Sequence, residues 1–589
     1  MKKNIIIFPI LALSITSCNQ FPYHSFTTSQ YVCEHSLLES VIKEPSLLET
    51  GLNEIRCVKC GETSTKTTYD LSQCVFEDGF YMYDGQDHAL SIKGLLPYGA
   101  TVEYENNSLK EIGQKEATAK IFNESHELIE TKKAHINIIE NTGFANIYID
   151  TNNAPIEDKE NYVPMTMKID NCSSKYLLND VQGNIRLRGN GTLTYDKKAY
   201  RLKLDSKANL LGLNNNAKCK SWVLIADYAD QSMMRNASAY YLGNSLFNYS
   251  NNYSTDYQHV NVYLNGSYNG VYLLAEQQQV NANRINIKEP ETNSTTTDIG
   301  YLLELDNYAK QEEYYFTIGS SSSGGFGGYP GFGGGENING ITIPSKDYTI
   351  KNDIYSQEQV NYIKKYLTNV FSAFKSVFKD GTLKTLDENH NLIDSPYSSQ
   401  YETLNSMIDL ESLFKMYILQ EYMKDIDVGF SSFYMFVDFS STSKYPRLTF
   451  GAPWDFDWSS GNVNNTSIAS PNGEFNSTDF DHKNVWLLLL SKTDFFRDMM
   501  DKYYSIFVNS GILEGAIAQA NYEAVAFANE FATNYQKWKT LGTIVPKYTP
   551  DVAKTYKVHK DAVDYLVKWL LDRKTSLDTI FLVKEELSQ

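Results

Sequence analysis

Three carboxylates stand where a hard cation could be held. Asp427 lies just past a helical run, and Asp455 and Asp457 sit in the stretch Pro453-Trp454-Asp455-Phe456-Asp457. In an extended segment, side chains two apart point the same way. Asp455 and Asp457 would then share a side and repel unless a cation or hydrogen-bond donors lie between them. Oxygen donors of this kind suit Mg2+, Mn2+ or Ca2+. Taken singly, Asp427 also fits a polar residue beyond a helix end, and the other two fit a hydrogen-bonded turn. A second group is Cys33-Glu34-His35 with Cys57-Val58-Lys59-Cys60-Gly61. Two close pairs of N/S ligands separated by a loop are how a short chain builds a tetrahedral zinc site. With Cys33, His35, Cys57 and Cys60 all bound, no position stays open, so that zinc would be structural. A pair of disulfides drawing in Cys74 is the other reading. A third group is cationic. Asn184 to Gly191 reads as a basic strand running into a glycine turn, and Tyr200 to Leu204 as the next strand, with Arg201 and Lys203 on one face. Backbone N–H groups and a lysine arranged this way can cradle phosphate, although a lysine on the solvent face of a hairpin has the same pattern.

These groups need elements to position them. From about residue 140 onward, strands and helices alternate. Asn146–Ile149, Met165–Ile169, Trp222–Ala226 and Ile299–Asp306 read as strands, and Val260–Leu264 with Gly270–Glu276 as a hairpin around Asn265-Gly266. A helix opens at Met233 and runs to about Leu246. Apolar spacing predicts helices over 356–377 and 409–424, the second delivering Asp427, and then strands at Phe433–Val437 and Leu448–Phe450. After residue 480, apolar seams at 484–508, 512–535 and 554–583 predict further helices. Residues 319–340 form a Gly/Ser-rich low-complexity insertion, and it lacks the Lys-Ser/Thr end of a P-loop. Short alternating runs and turns over 76–138 predict a β-sandwich spacer. The pattern around Tyr83-Asp84-Gly85-Gln86 and Leu96-Pro97-Tyr98-Gly99 resembles bacterial Ig-like surface repeats.

The chain begins Met1-Lys2-Lys3, continues with an apolar run over Ile5–Ile15 and reaches Ile15-Thr16-Ser17-Cys18. This is signal-peptide architecture, and its end resembles a lipobox. That implies export, cleavage of the signal segment 1–18 just before Cys18, lipid on Cys18 as the mature N-terminus and residence on the outer face of the cell membrane. The 589 residues are 42% hydrophobic, which allows several cored domains, and include 43 Tyr and 29 Phe. A formal charge of −18 argues against nucleic acid as a partner, since that binding needs a basic face. Of seven cysteines, Cys18 is spoken for; Cys172 and Cys219 carry no assignment. The expected order is the leader, a Cys/His zinc-ribbon-like module over 19–75, the Ig-like spacer over 76–138, and a large α+β domain over 140–585.

The large domain resembles the CotH family of spore coat protein H-like atypical protein kinases. The resemblance rests on ordered blocks: Arg188-Gly189-Asn190-Gly191, Lys197-Lys198-Ala199-Tyr200-Arg201-Leu202-Lys203, Leu210-Leu211-Gly212-Leu213, Arg235-Asn236-Ala237, Gly270-Val271-Tyr272, Gly300 to Asp306, Asp427, and Pro453 to Asp457. It implies a multidomain protein with a kinase-like α+β domain that moves phosphate from ATP, with Mg2+ or Mn2+, to serines of a surface or exported protein. Carried over block by block, Asp427 is the catalytic aspartate and Asp455 a catalytic and metal-binding one, with Asp457 supporting it. Trp454 walls the nucleotide pocket, Arg188 lies among the nucleotide-binding residues, and Lys203 contacts phosphate while paired to Glu276. The sequence departs from the family in two places. Ser432 stands in the segment where an Asn is usual, and Gly191 stands where Ser is usual. A non-catalytic surface adhesin or scaffold of the same family is the alternative function, and a Ca2+-stabilised structural domain a third.

Overall fold

The structure is a computed structural model, which describes residues 34–250, 252–319, 335–464, 466–478, 482–545 and 549–582. Cys18, Cys33 and most of the Gly-rich insertion therefore lie outside the described residues. The chain divides into two compact units. One holds residues up to 44 together with 51–68, and the other holds 45–50 and everything from 69 onward. Three antiparallel strands, Leu37–Lys43, Gly51–Cys57 and Thr63–Thr68, make the first unit's sheet. Every residue of Leu37–Lys43 is exposed, and only Gly51 and Cys57 in the sheet are buried.

The second unit begins with a four-stranded sheet in the order Gly79–Met82, Leu128–Ile139, Gly113–Phe122 and Thr101–Glu105. Period-two alternation sends Ala117, Ala119, Ile121, Ala134, Ile136 and Ile138 to one face. There they pack with Leu90, Ile92 and Leu96 from the irregular connection. A short second ladder, Cys74–Val75 against Lys93–Gly94, contributes Cys74 to the same core, and the sheet region is hydrogen-bonded to the C-terminal helical segments. Leu96 N–H donates to Ser510 Oγ at 2.9 Å and Met82 N–H to the Tyr522 hydroxyl at 2.8 Å.

Seven strands then close a barrel in the order Ala145–Asp150, Val163–Asp170, Leu178–Arg188, Ala199–Ala208, Cys219–Ile225, Ser267–Glu276 and Tyr257–Leu264. Neighbours are antiparallel except at the closure, where Ala145–Asp150 runs parallel to Tyr257–Leu264. Ile147, Met167, Ile185, Leu187, Leu202, Leu204, Trp222 and Leu274 fill the interior. The intervening residues of two neighbouring strands, Arg186, Arg188, Arg201 and Lys203, therefore lie outside. The intervening residues of two others, Val223, Ile225, Val271 and Leu273, join the core shared with the helices.

A five-stranded antiparallel sheet follows, ordered Tyr315–Ile318, Lys346–Ile350, Gly300–Leu305, Phe433–Asp438 and Thr449–Phe450. The helix Gln357–Asp380 starts with a capping box between Ser356 and Gln359 and stops at Gly381, whose φ is 74°. Leu410–Met423 is buried along nearly its whole length. It ends abruptly because Lys424 turns left-handed at φ 49°, held there by its Nζ donating to Ser470 O at 2.8 Å. The helices Phe496–Asn509, Ile512–Ala526, Ala528–Trp538 and His559–Phe581 complete an α+β architecture. His259 Nδ1 lies 2.5 Å from Glu523 Oε2 with both side chains buried, which pins a barrel strand to the second of these helices.

Candidate functional site

The acidic residues come from two loops. The first runs from the left-handed stop at Lys424 to the strand Phe433–Asp438. Within it, Asp427 N–H donates to Asp425 Oδ1 at 3.1 Å, and Asp427 O accepts from the N–H groups of Phe430 at 2.8 Å and Ser431 at 3.1 Å. Asp425 is thereby buried and Asp427 left half-exposed. His482 stacks on Phe430, and its Nδ1 lies 3.3 Å from Asp427 Oδ1, a close approach without hydrogen-bond geometry.

The second loop follows the strand Thr449–Phe450. It is not extended, as the alternation argument assumed: Asp455 has φ 68°, so Asp455 and Asp457 are not simple same-side neighbours. Asp455 is exposed and Asp457 half-buried. The Arg235-Asn236 pair clamps this loop. Phe456 N–H donates to Asn236 Oδ1 at 2.7 Å, while Asn236 Nδ2 donates to Asp227 Oδ1 at 2.8 Å. Arg235, paired to Asp230, donates through Nε to Ser459 O at 3.0 Å and through Nη2 to Ser460 O at 3.2 Å. Ser432 Oγ reaches across from the first loop to donate to Asp455 Oδ2 at 3.1 Å.

The two loops sense each other's charge. Burial is the main cause that raises Asp425 well above the usual carboxylate range, and Asp427, Asp455 and Asp457 add to it. Burial also raises Asp457 well above that range, reinforced by Asp455, Asp227, Asp427 and Asp230. Asp455 is raised chiefly by the surrounding protein mass, although its side chain is exposed. Arg188 opposes that rise and Asp427 adds to it.

Arg188 brings the cationic strand to this place. Its guanidinium lies 5.3 Å from the Trp454 ring, and Trp454 stacks on Tyr240 with centroids 5.6 Å apart. Arg186 faces Arg201 in register across the hairpin. Arg201 is pulled down by burial; the charges of Arg186 and Arg188 act in the same sense, and Tyr162 opposes them. The Nε groups of Arg186 and Arg201 are buried with no hydrogen-bond partner. Crowded guanidiniums with orphaned donors suit an anion such as phosphate.

The donor set also suits Mg2+ or Mn2+ bound together with a nucleotide. No three of these carboxylates bring ligand oxygens within 4.8 Å of one another; among the described residues His35, Cys57 and Cys60 do so. An all-protein cage is therefore not preformed at the aspartates. Mg2+ does not require one, because it is held by one or two carboxylates, substrate phosphates and water.

Of the residues singled out in the sequence, Asp427, Asp455, Asp457, Trp454 and Arg188 come together. Lys203 and Glu276 do not meet, which corrects the expected ion pair. Lys203 is exposed on the outer face of the barrel, near Tyr162. Glu276 has the opposite parity, in register with the inward-facing Trp222. Its carboxylate is taken by Arg284 Nε at 2.9 Å, Asn214 Nδ2 at 3.0 Å and the Tyr253 hydroxyl at 3.0 Å. Sequence reasoning missed Asp425, which its place two residues before Asp427 could have flagged. It also gave no role to the buried Lys197, although that residue opens one of the family blocks, nor to the buried Asp227. Lys197 Nζ donates to Ala226 O at 2.7 Å, and burial brings its pKa down to about 7. Burial raises Asp227 to about 6, and its Oδ2 has no partner. In the first unit His35, Cys57 and Cys60 converge, and Cys33 lies outside the described residues.

A family model described as CotH kinase protein matches residues 185–577. The match begins inside the strand Leu178–Arg188 and takes in every acidic and arginine residue of the site. No curated protein matches the chain.

Proposed function

The chain belongs to the CotH kinase family, and on that premise we propose that it transfers the γ-phosphoryl group of ATP to a serine hydroxyl of a surface or exported protein. One observation carries this reading: Asp427 and Asp455, from two separate loops, sense each other's charge, and Arg188 from the barrel wall lies against Trp454 and opposes the rise of Asp455. A metal–nucleotide complex needs such paired patches of opposite charge, because phosphoryl transfer depends on positioning and charge neutralisation more than on covalent chemistry by the enzyme.

Asp455 and Asp457 would hold Mg2+ or Mn2+, whose role when bound is to neutralise phosphate oxygens. Arg188, Arg186 and Arg201 face the remaining anionic charge, and the orphaned Nε donors gain acceptors. Trp454, fixed between Arg188 and Tyr240, forms an aromatic wall. Ser432 orients Asp455 through its hydroxyl. Asp427 accepts the serine proton as the serine oxygen bonds to the γ-phosphorus; the bond from that phosphorus to the β,γ-bridging oxygen breaks and ADP departs with its electron pair. Lys203 and Glu276 have no part in the step. The leader and Cys18 support a lipid-anchored position at the outer face of the cell membrane, where a surface protein is the substrate.

The test uses the purified chain with γ-labelled ATP and Mg2+ or Mn2+. Label appearing on serine, and lost in Asp427→Asn and Asp455→Asn, is the expected result. If no divalent metal gives a nucleotide-dependent thermal shift, the reading fails and the non-catalytic scaffold takes its place.

A further inference from the structure

Among its described residues, the first compact unit has a sheet and almost no core. Leu37, Leu38, Val41 and Ile42 are 46–58% exposed, and the strand Thr63–Thr68 is polar and exposed over most of its length. A small three-stranded sheet with this little apolar burial is not stable through the hydrophobic effect alone. Small units of this kind are normally held by a disulfide or a metal.

The backbone beside the cysteines is nonetheless tightly organised. Gly61 N–H donates to Cys57 O, Cys57 N–H to Glu62 O, and Val58 N–H to Ser36 O, each at 2.8 Å. Gly61 sits at φ 77°, a conformation that glycine adopts without strain. The resulting turn folds Cys60 back toward Cys57, and the Val58–Ser36 bond draws in the segment that carries His35. The Cys57 Sγ, Cys60 Sγ and His35 ligand atoms all lie within 4.8 Å of one another, with Cys60 Sγ 3.5 Å from His35 Nδ1. The other nitrogen, His35 Nε2, lies 3.7 Å from Glu62 Oε2. A ligating histidine characteristically offers its far nitrogen to a carboxylate, which fixes the tautomer and the ring orientation.

We propose that His35 Nδ1, Cys57 Sγ and Cys60 Sγ bind Zn2+, and that this ion rather than an apolar core keeps residues 34–44 and 51–68 folded. Two sulfurs and one imidazole select zinc over the hard cations suited to the aspartate site. Both thiols give up their protons on binding, so metal affinity is coupled to folding and weakens in acid. Cys33 lies outside the described residues. The proposal is independent of phosphoryl transfer.

The test uses the full chain, purified with its thiols reduced. Metal analysis is expected to find about one zinc per chain, lost in His35→Ala and in Cys57→Ser. Replacement by Co2+ is expected to produce thiolate-to-cobalt charge-transfer absorption. Chelation should accelerate amide exchange over residues 51–68 by about tenfold or more, while the barrel strands stay protected. Metal retained in the Cys57→Ser/Cys60→Ser double variant would overturn the site. A Cys57–Cys60 disulfide in protein isolated from the cell surface without reductant would overturn it as well. Zinc bound with exchange unchanged by chelation would overturn its role in folding.

Discussion

Replacing Arg284 separates a structural ion pair from a catalytic one. Arg284 and Glu276 are both fully buried, with Nε and Oε1 2.9 Å apart, and the guanidinium lies 5.2 Å from the Trp222 ring inside the barrel. Arg284→Met leaves the Glu276 carboxylate buried and without its cation, which costs ~3–5 kcal/mol. At about 2–4 °C of Tm per kcal/mol for a large domain, the unfolding midpoint falls by roughly 6–20 °C. Burial outweighs Arg284 in setting the Glu276 pKa, which is raised, while Tyr253 and Glu276 together outweigh burial at Arg284, which is raised as well; replacing a buried pair by apolar groups is often nearly neutral. The double variant Glu276→Leu/Arg284→Met should therefore recover most of the loss, giving a coupling of ~3 kcal/mol or more in a double-mutant cycle. Lys203→Ala, on the outer face, should change stability by less than ~0.5 kcal/mol. Urea unfolding followed by tryptophan fluorescence reads the parent, Glu276→Leu, Arg284→Met, the double variant and Lys203→Ala, with Trp222 as the local reporter. If Arg284→Met unfolds like the parent while Glu276→Gln abolishes ATP binding, then Glu276 serves the nucleotide and the assignment made from the barrel's parity is wrong.

Three further outcomes follow from the site and its supports. Arg188→Gln removes the cation that opposes the rise of Asp455 and should lower kcat/KM for ATP by about tenfold or more, the worth of a hydrogen bond to a charged group; unchanged kinetics across pH would refute the role. Asp425 is raised well above the carboxylate range, so its stabilising contribution is full at low pH and lost as pH rises through the raised value. Asp425→Asn should thus keep activity within about twofold and flatten the loss of stability that sets in as pH rises above about 4, the unfolded-state value, whereas Asp455→Asn should cost ~100-fold or more in initial rate. His559 is held neutral, with burial bringing it down to about 4 and its Nε2 2.6 Å from Ser232 O. The unfolded chain takes up this proton near pH 6.5 and the folded chain does not. Folding stability should fall by about 3 kcal/mol between pH 7 and 4, a loss that His559→Gln removes in urea titrations at each pH.

Local pattern was enough to find most of the strands and helices of the large domain and the pieces of its site. Alternation located the basic strand that ends at Arg188, apolar spacing located the helix that delivers Asp427, and the order of short blocks pointed to the CotH family. The convergence of Cys57 and Cys60 follows from their spacing, because a tight turn is a local event. What local pattern could not decide was which residues share a face across distant strands. The family resemblance suggests pairing Lys203 with Glu276, yet closing the barrel puts one outside and the other inside. Strand parity relative to the interior is set only when Ala145–Asp150 meets Tyr257–Leu264. The Asp455–Asp457 segment was read as extended, but tertiary clamps from Arg235 and Asn236 hold it as a loop with Asp455 left-handed. Asp425, Asp227 and Lys197 acquire their unusual charge states only from burial, a property of packing that no run of neighbouring residues encodes. The sequence by itself determined which chemical groups are present and which elements carry them. The tertiary structure decided which groups meet, because contact and desolvation depend on pieces of chain brought together from far apart.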